Sequence, residues 1–219
     1  MEGKPMLLRA LAATGVATSL FGSPAFAGSP LPPPPPPQDR IVIDSVTASG
    51  TGCPTGTAAV AVSPDGTAFT VTYSSYLAQI GPGVSPADAQ KDCRLSLHVH
   101  APGGFTYAVV SAGYSGFASL APGASATQRA SYHFQGDPRT TTSNHHFKGP
   151  FDNTWRTNDT VPVTSVVFAP CGEERSLDIN TELQVAQGTS SPSATSFMEM
   201  DSTDGRISTV YRVALQRCR

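Results

Sequence analysis

Leu177-Asp178-Ile179-Asn180-Thr181-Glu182-Leu183-Gln184-Val185 sets Leu177, Ile179, Leu183 and Val185 against Asp178, Asn180, Glu182 and Gln184. Successive side chains point to opposite faces of an extended chain, so this segment reads as a strand with one apolar and one polar face. The same period recurs in both directions. Leu95, Leu97 and Val99 alternate with Ser96, His98 and His100, and Phe69, Val71 and Tyr73 alternate with Thr70 and Thr72. Ile41 to Val46, Phe105 to Val109, Tyr132 to Phe134, Val163 to Phe168, Phe197 to Asp201 and Ile207 to Leu215 read as further extended segments. Composition opposes helices, because 20 Gly and 20 Pro occur in 219 residues and each costs helix stability. A hydrophobic share of 39% is too large for a wholly disordered chain.

The connections carry turn chemistry. Ser63-Pro64-Asp65-Gly66, Pro102-Gly103-Gly104 and Asp201-Ser202-Thr203-Asp204-Gly205 each separate two extended segments, as tight turns require. Ser85-Pro86-Ala87-Asp88-Ala89-Gln90-Lys91 is the one helical turn expected, with Ser85 as its cap and Pro86 at its first position. The stretch 136–160 is poor in aliphatic residues and reads as a long loop region. Two-faced strands bury their apolar sides by stacking two sheets. The expected fold is therefore all-β: an antiparallel two-sheet β-sandwich of about ten strands, jelly-roll-like or immunoglobulin-like, over residues 39–219.

Two segments precede that domain. Residues 1–27 have the layout of a secretory signal peptide: Lys4 and Arg9, an uncharged apolar run from Leu11 to Phe21, then Ala25-Phe26-Ala27. The run is too short to span a bilayer, so no membrane span is expected after cleavage. Residues 28–38 hold Pro32 to Pro37 unbroken and read as a semi-rigid proline-rich linker. Export places the chain outside the cell, where Cys53, Cys93, Cys171 and Cys218 should form two disulfides. Four cysteines allow three pairings. Proximity along the chain favours Cys53–Cys93 and Cys171–Cys218.

The formal net charge is −2, which gives no basic footprint for nucleic acid. There is no G-x-S-x-G elbow, P-loop or dinucleotide fingerprint, and no cofactor is expected. His98 and His100 share one strand face and could ligate a metal ion with His133, His145 or His146. The plainer reading is a polar strand surface. Glu182, Glu199 and Asp201 could supply the paired carboxylates of a glycosidase if their strands were neighbours; otherwise they are solvated polar residues. Trp155, within Asp152-Asn153-Thr154-Trp155-Arg156, reads either as a ligand anchor or as a plug at the sandwich end.

Several motifs occur together: Ser49-Gly50-Thr51-Gly52-Cys53-Pro54, Ser63-Pro64-Asp65-Gly66-Thr67-Ala68-Phe69, Gly104-Phe105-Thr106-Tyr107-Ala108, Phe168-Ala169-Pro170-Cys171-Gly172, Asn180-Thr181-Glu182-Leu183 and Met200-Asp201-Ser202-Thr203-Asp204-Gly205, closed by Cys218. In this order the chain resembles the secreted bacterial and fungal domain-of-unknown-function 4360 family, from about Ile41 to Cys218. The resemblance implies secretion, paired cysteines and a β fold, and carries no catalytic residues across. The expected role is a binding or structural module at the cell surface or beyond it, with a carbohydrate or envelope component as partner. A secreted carbohydrate-active hydrolase is the alternative, and the oligomeric state is open.

Overall fold

The structure, a computed structural model, describes residues 40–200 and 209–219. The leader, the linker, Asp201 and the turn expected at Asp201–Gly205 lie outside the described residues. The described residues form twelve strands: β1 (Val42–Ser49), β2 (Ala58–Val62), β3 (Ala68–Tyr73), β4 (Leu77–Ile80), β5 (Gln90–His100), β6 (Phe105–Leu120), β7 (Ser125–Phe134), β8 (Thr141–Lys148), β9 (Phe151–Thr160), β10 (Ser176–Ala186), β11 (Ser196–Met200) and β12 (Thr209–Arg217). They form two antiparallel sheets. The five-stranded sheet has the order β1-β5-β10-β7-β8. The seven-stranded sheet is built around β6. Gly113 pairs with both β12 and β9, and Gly116 with both β11 and β9. β9 therefore occupies one edge of β6, while β11 and β12 follow each other along the opposite edge.

The alternating segments form strands because their apolar sides meet between the sheets. Leu95, Leu97, Leu177, Ile179 and Leu183 from one sheet and Phe69, Val71, Met198 and Tyr211 from the other all enter a single buried core. Tyr211 is its hub, with ring centroids 4.8 Å from Phe69, 6.1 Å from Tyr114 and 6.0 Å from Tyr132 across the sheets. The Tyr76 hydroxyl lies 3.1 Å from the Thr181 hydroxyl, a second link between the layers. Burial pushes the Tyr76 and Tyr211 hydroxyls well above the ordinary phenol range, so both stay neutral. The disulfides are Cys53–Cys93 and Cys171–Cys218, as proximity favoured.

The turns follow their residues. At Ser63-Pro64-Asp65-Gly66 the Asp65 carboxylate accepts from the Ser63 hydroxyl at 2.6 Å, the Thr67 amide at 3.1 Å and the Thr67 hydroxyl at 2.8 Å. Gly66 adopts φ 67°, which its missing Cβ permits. These donors, Ser63 first, lower the Asp65 pKa to about 2. The folded value lies below the unfolded one, so the ionised carboxylate stabilises the turn above about pH 4. That contribution disappears as pH falls through about 2. Urea denaturation should find Asp65→Ala less stable than the parent at neutral pH, with the difference closing at the acid end. Pro86–Ala89 forms a one-turn 3-10 helix, and the Ser85 hydroxyl accepts from the Ala87 amide at 3.4 Å; Gln90 and Lys91, read as part of that turn, open β5 instead.

Other expectations are corrected. The region 136–160 is not a loop; most of it is the β8–β9 pair. Thr favours strands, and these edge strands need only one apolar side, which Phe147, Phe151 and Trp155 supply. β8 belongs to one sheet and β9 to the other, so the pair closes a corner of the sandwich. Asp159 on β9 fastens it, accepting from Tyr132 at 3.2 Å, from the Ser143 hydroxyl, and contacting His145 Nε2 at 2.6 Å. Residues 163–168 are not a strand; Val163–Ser165 is a short 3-10 turn after Pro162, followed by unpaired chain. β6 also runs further than its apolar pattern indicates. Ser111, Gly113 and Gly116 hide the period, and a Cβ at Gly116 would collide with the Glu199 carbonyl and lie 2.7 Å from Trp155 Cζ2.

Candidate functional site

The core-facing residues of the five-stranded sheet leave its other face to solvent, and register sorts that face into rows. Ser45, His98 and Ser176 align, as do Thr47, Ser96, Asp178 and His133. The next rows are Ser49, Arg94, Asn180, Ser131 and Thr142, then Asp92, Glu182, Arg129 and Asn144, then Gln90, Gln184, Thr127 and His146. Every member of these five rows is polar. Residues directly opposite across antiparallel strands have Cβ atoms about 4.5–5.5 Å apart, so the rows make a continuous grid of donors and acceptors.

Near the middle of the grid lies an open hollow of about 230 Å³, walled by Asp92, Arg94, Arg129, Ser131, Asn180 and Glu182 among others. Each charged group there is tethered on one side. Arg94 Nε donates to Asn180 Oδ1 at 3.0 Å and Arg129 Nε to Asn144 Oδ1 at 2.8 Å. Gln90 Nε2 donates to Glu182 Oε2 at 2.9 Å, and the Thr51 hydroxyl to Asp92 Oδ1 at 2.7 Å. The remaining edges stay open: among the described residues the terminal guanidinium nitrogens, Glu182 Oε1 and Asp92 Oδ2 make no hydrogen bond. Arg129 stands directly opposite Glu182, yet no ion pair within 4.0 Å closes between them.

The residues singled out from the sequence are dispersed. Glu182 belongs to the hollow. Glu199 sits between the buried Met198 and Met200 of β11, so its side chain lies on the outer side of the other sheet, and the two are not brought together. The carboxylate that does oppose Glu182 is Asp92. Trp155 is a strand residue of β9 at 2% exposure. Its ring packs 5.5 Å from Phe147 and its Nε1 donates to the Glu199 carbonyl at 3.1 Å. Such burial fits the plug reading of this position.

His98 and His100 do share the outer face of β5. His98 Nδ1 lies 3.3 Å from Asp44 Oδ2, and Glu174 lies 3.8 Å from His98 and 3.7 Å from His100. His133 faces Asp178 at 3.4 Å, His145 faces Asp159, and His146 contacts Thr127 at 3.1 Å. Among the described residues no group of three or more His, Cys, Asp or Glu is arranged to hold a metal ion.

A second concavity opens at one end of the sandwich as two adjoining hollows of about 470 and 700 Å³ that share His100, Pro102 and Gly103. Their walls are mostly apolar, including Ile41, Val42, Val62, Phe105 and Pro170. Their polar side chains are already engaged. Thr106 donates to the Ala169 carbonyl at 2.5 Å, Arg40 to the Pro64 carbonyl, and His100 faces Glu174. Arg94, Arg129, Asn144 and Asp92 escape sequence reading because only the register between strands places them beside Glu182.

The chain is 36% identical over 180 residues to an uncharacterized secreted protein of Arthroderma benhamiae, covering 82% of this chain and 73% of that one. Among solved structures it is similar to TmCBM61 in complex with β-1,4-galactotriose, at 10% identity and a TM-score of 0.28 over 80% of this chain and 90% of that one. It is also similar to the enzymatically active domain of tailspike protein 4 of bacteriophage CBA120, at 15% identity and a TM-score of 0.27 over 81% of this chain and 20% of that one. The family model for a domain of unknown function, DUF4360, matches residues 39–218. With nearly the whole β-sandwich inside that match, the chain belongs to the DUF4360 family.

Proposed function

We propose that this protein works outside the cell as a binding module, and that the outer face of the five-stranded sheet is its binding surface for a hydroxyl-rich envelope or matrix polymer. The observation that carries this reading is the grid of five wholly polar rows with hydrogen-bonding edges left open at its centre. A rigid sheet holds such groups at fixed spacing, which lowers the ordering cost of binding a repeating polymer. The secreted relative, the two disulfides and the leader-like residues 1–27 support an extracellular location. The linker at 28–38 would then keep the sandwich clear of the surface it leaves. A protein-docking role has less support, since the exposed large apolar side chains among the described residues are Val42 and Val62.

Pull-down on insoluble cell-wall polysaccharide tests the reading. The mature protein should be retained. A triple variant, Arg94→Ala, Arg129→Ala and Glu182→Ala, should pass through while keeping the parent melting temperature, because all three side chains point to solvent. Equal retention of both proteins, or retention of neither, overturns it.

A further inference from the structure

The chemistry of the central hollow narrows the class of ligand, and the argument rests on the binding reading above. Two guanidiniums and two carboxylates line one hollow, so the formal charges cancel. Opposite charges that face each other across neighbouring strands, as Arg129 and Glu182 do, attract one another. Here each is drawn aside by a neutral neighbour, Asn180, Asn144, Gln90 or Thr51, and the hollow stays open between them.

An anionic polymer would meet Arg94 and Arg129 but would press its charge against Asp92 and Glu182. A cationic polymer would meet the carboxylates but would face both guanidiniums. Either pays for one favourable pair with one repulsive pair, which is how a site rejects the wrong partner. A neutral polyol has no such conflict. Each hydroxyl donates one hydrogen bond and accepts others, so it can donate to an open carboxylate oxygen while accepting from an open guanidinium N–H. Hydrogen bonds with one ionised partner are about twice as strong as neutral ones, which offsets the absence of an aromatic platform on this face. The hollow of about 230 Å³ lies below the roughly 300–1,000 Å³ of drug-sized pockets, the size for one sugar ring of a longer chain lying along the rows.

We infer that the hollow formed by Asp92, Arg94, Arg129, Asn180 and Glu182 is a subsite for one ring of a neutral, uncharged glycan, read by carboxylates and guanidiniums acting together on its hydroxyls. Retention during affinity electrophoresis in gels containing neutral glucan, neutral galactan, polygalacturonate or chitosan tests it. At least one neutral gel should retard the mature protein, and raising the salt should change that retardation by less than about twofold, because no charge on the ligand is screened. Glu182→Gln and Arg129→Gln should each weaken it roughly tenfold or more, since each removes a charged hydrogen-bond partner, with melting temperatures unchanged. Retardation by polygalacturonate or chitosan alone, steep in salt, overturns the neutral-glycan assignment and leaves the sheet face as the binding surface. Retardation by none of the four, or retardation of the variants equal to the parent, overturns the subsite.

Discussion

Conversion of all four cysteines to alanine is expected to leave the chain unfolded at about 37 °C. The links span 40 and 47 residues. In the chain-entropy model each restricts the unfolded ensemble by about 4 kcal/mol, and together they rival the whole 5–15 kcal/mol that holds a typical domain folded. A single removal, Cys53→Ala with Cys93→Ala, should lower the melting temperature by roughly 8–16 °C. That pair is also completely buried, at 0% and 1% exposure, so its loss leaves a void that adds to the cost. Differential scanning calorimetry on the three proteins measures this. A shift of a degree or two for the four-alanine chain would mean that the sheets hold without their covalent clamps.

Tyr211→Ala should cost about 3–5 kcal/mol. The side chain is fully buried at 0% exposure. Its ring meets Phe69 and Tyr114 within its own sheet and Tyr132 from the other. Truncation removes contacts on three sides at once, and rigid strands relax into such a void only in part. The control is Val62→Ala, at 37% exposure, which should move stability by no more than about 0.5 kcal/mol. Guanidinium denaturation of both variants gives the comparison. Equal effects would contradict a core organised around Tyr211.

The alternation at 177–185 and at 95–100 was readable because one side of those strands meets a dry core and the other meets water. Nothing comparable marks β8 and β9. Their apolar contacts come from three aromatic residues, Phe147, Phe151 and Trp155, and their partners are edges of two different sheets. Beside Asp152 and Asn153 the sequence leaves Trp155 open between ligand anchor and plug; in the fold, Gly116 on β6 vacates the space its indole fills. The centre of the β6 strand was hidden for the same reason, since small residues there make room for neighbours. The disulfides were accessible because closeness along the chain coincides with closeness in space at both bridges.

The site is a different matter. Glu182 stood out as an outward carboxylate, yet its neighbours Asp92 and Arg129 are 90 and 53 positions away and meet it through strand register alone. Register follows from which apolar faces pack together. A single sequence records the alternation of each strand and not the order in which strands lie side by side. Glu199 carries the same alternation signal and belongs to the opposite sheet.

Backbone amide NMR of the mature, isotopically labelled protein, titrated with a soluble neutral oligosaccharide, tests the central claim most directly. Binding by the polar face should move the amide signals of Asp92, Arg94, Arg129, Asn144, Asn180 and Glu182 together. Shifts confined instead to Val42, Val62, Pro102-adjacent residues and Phe105 would place the ligand in the end hollows and contradict the account.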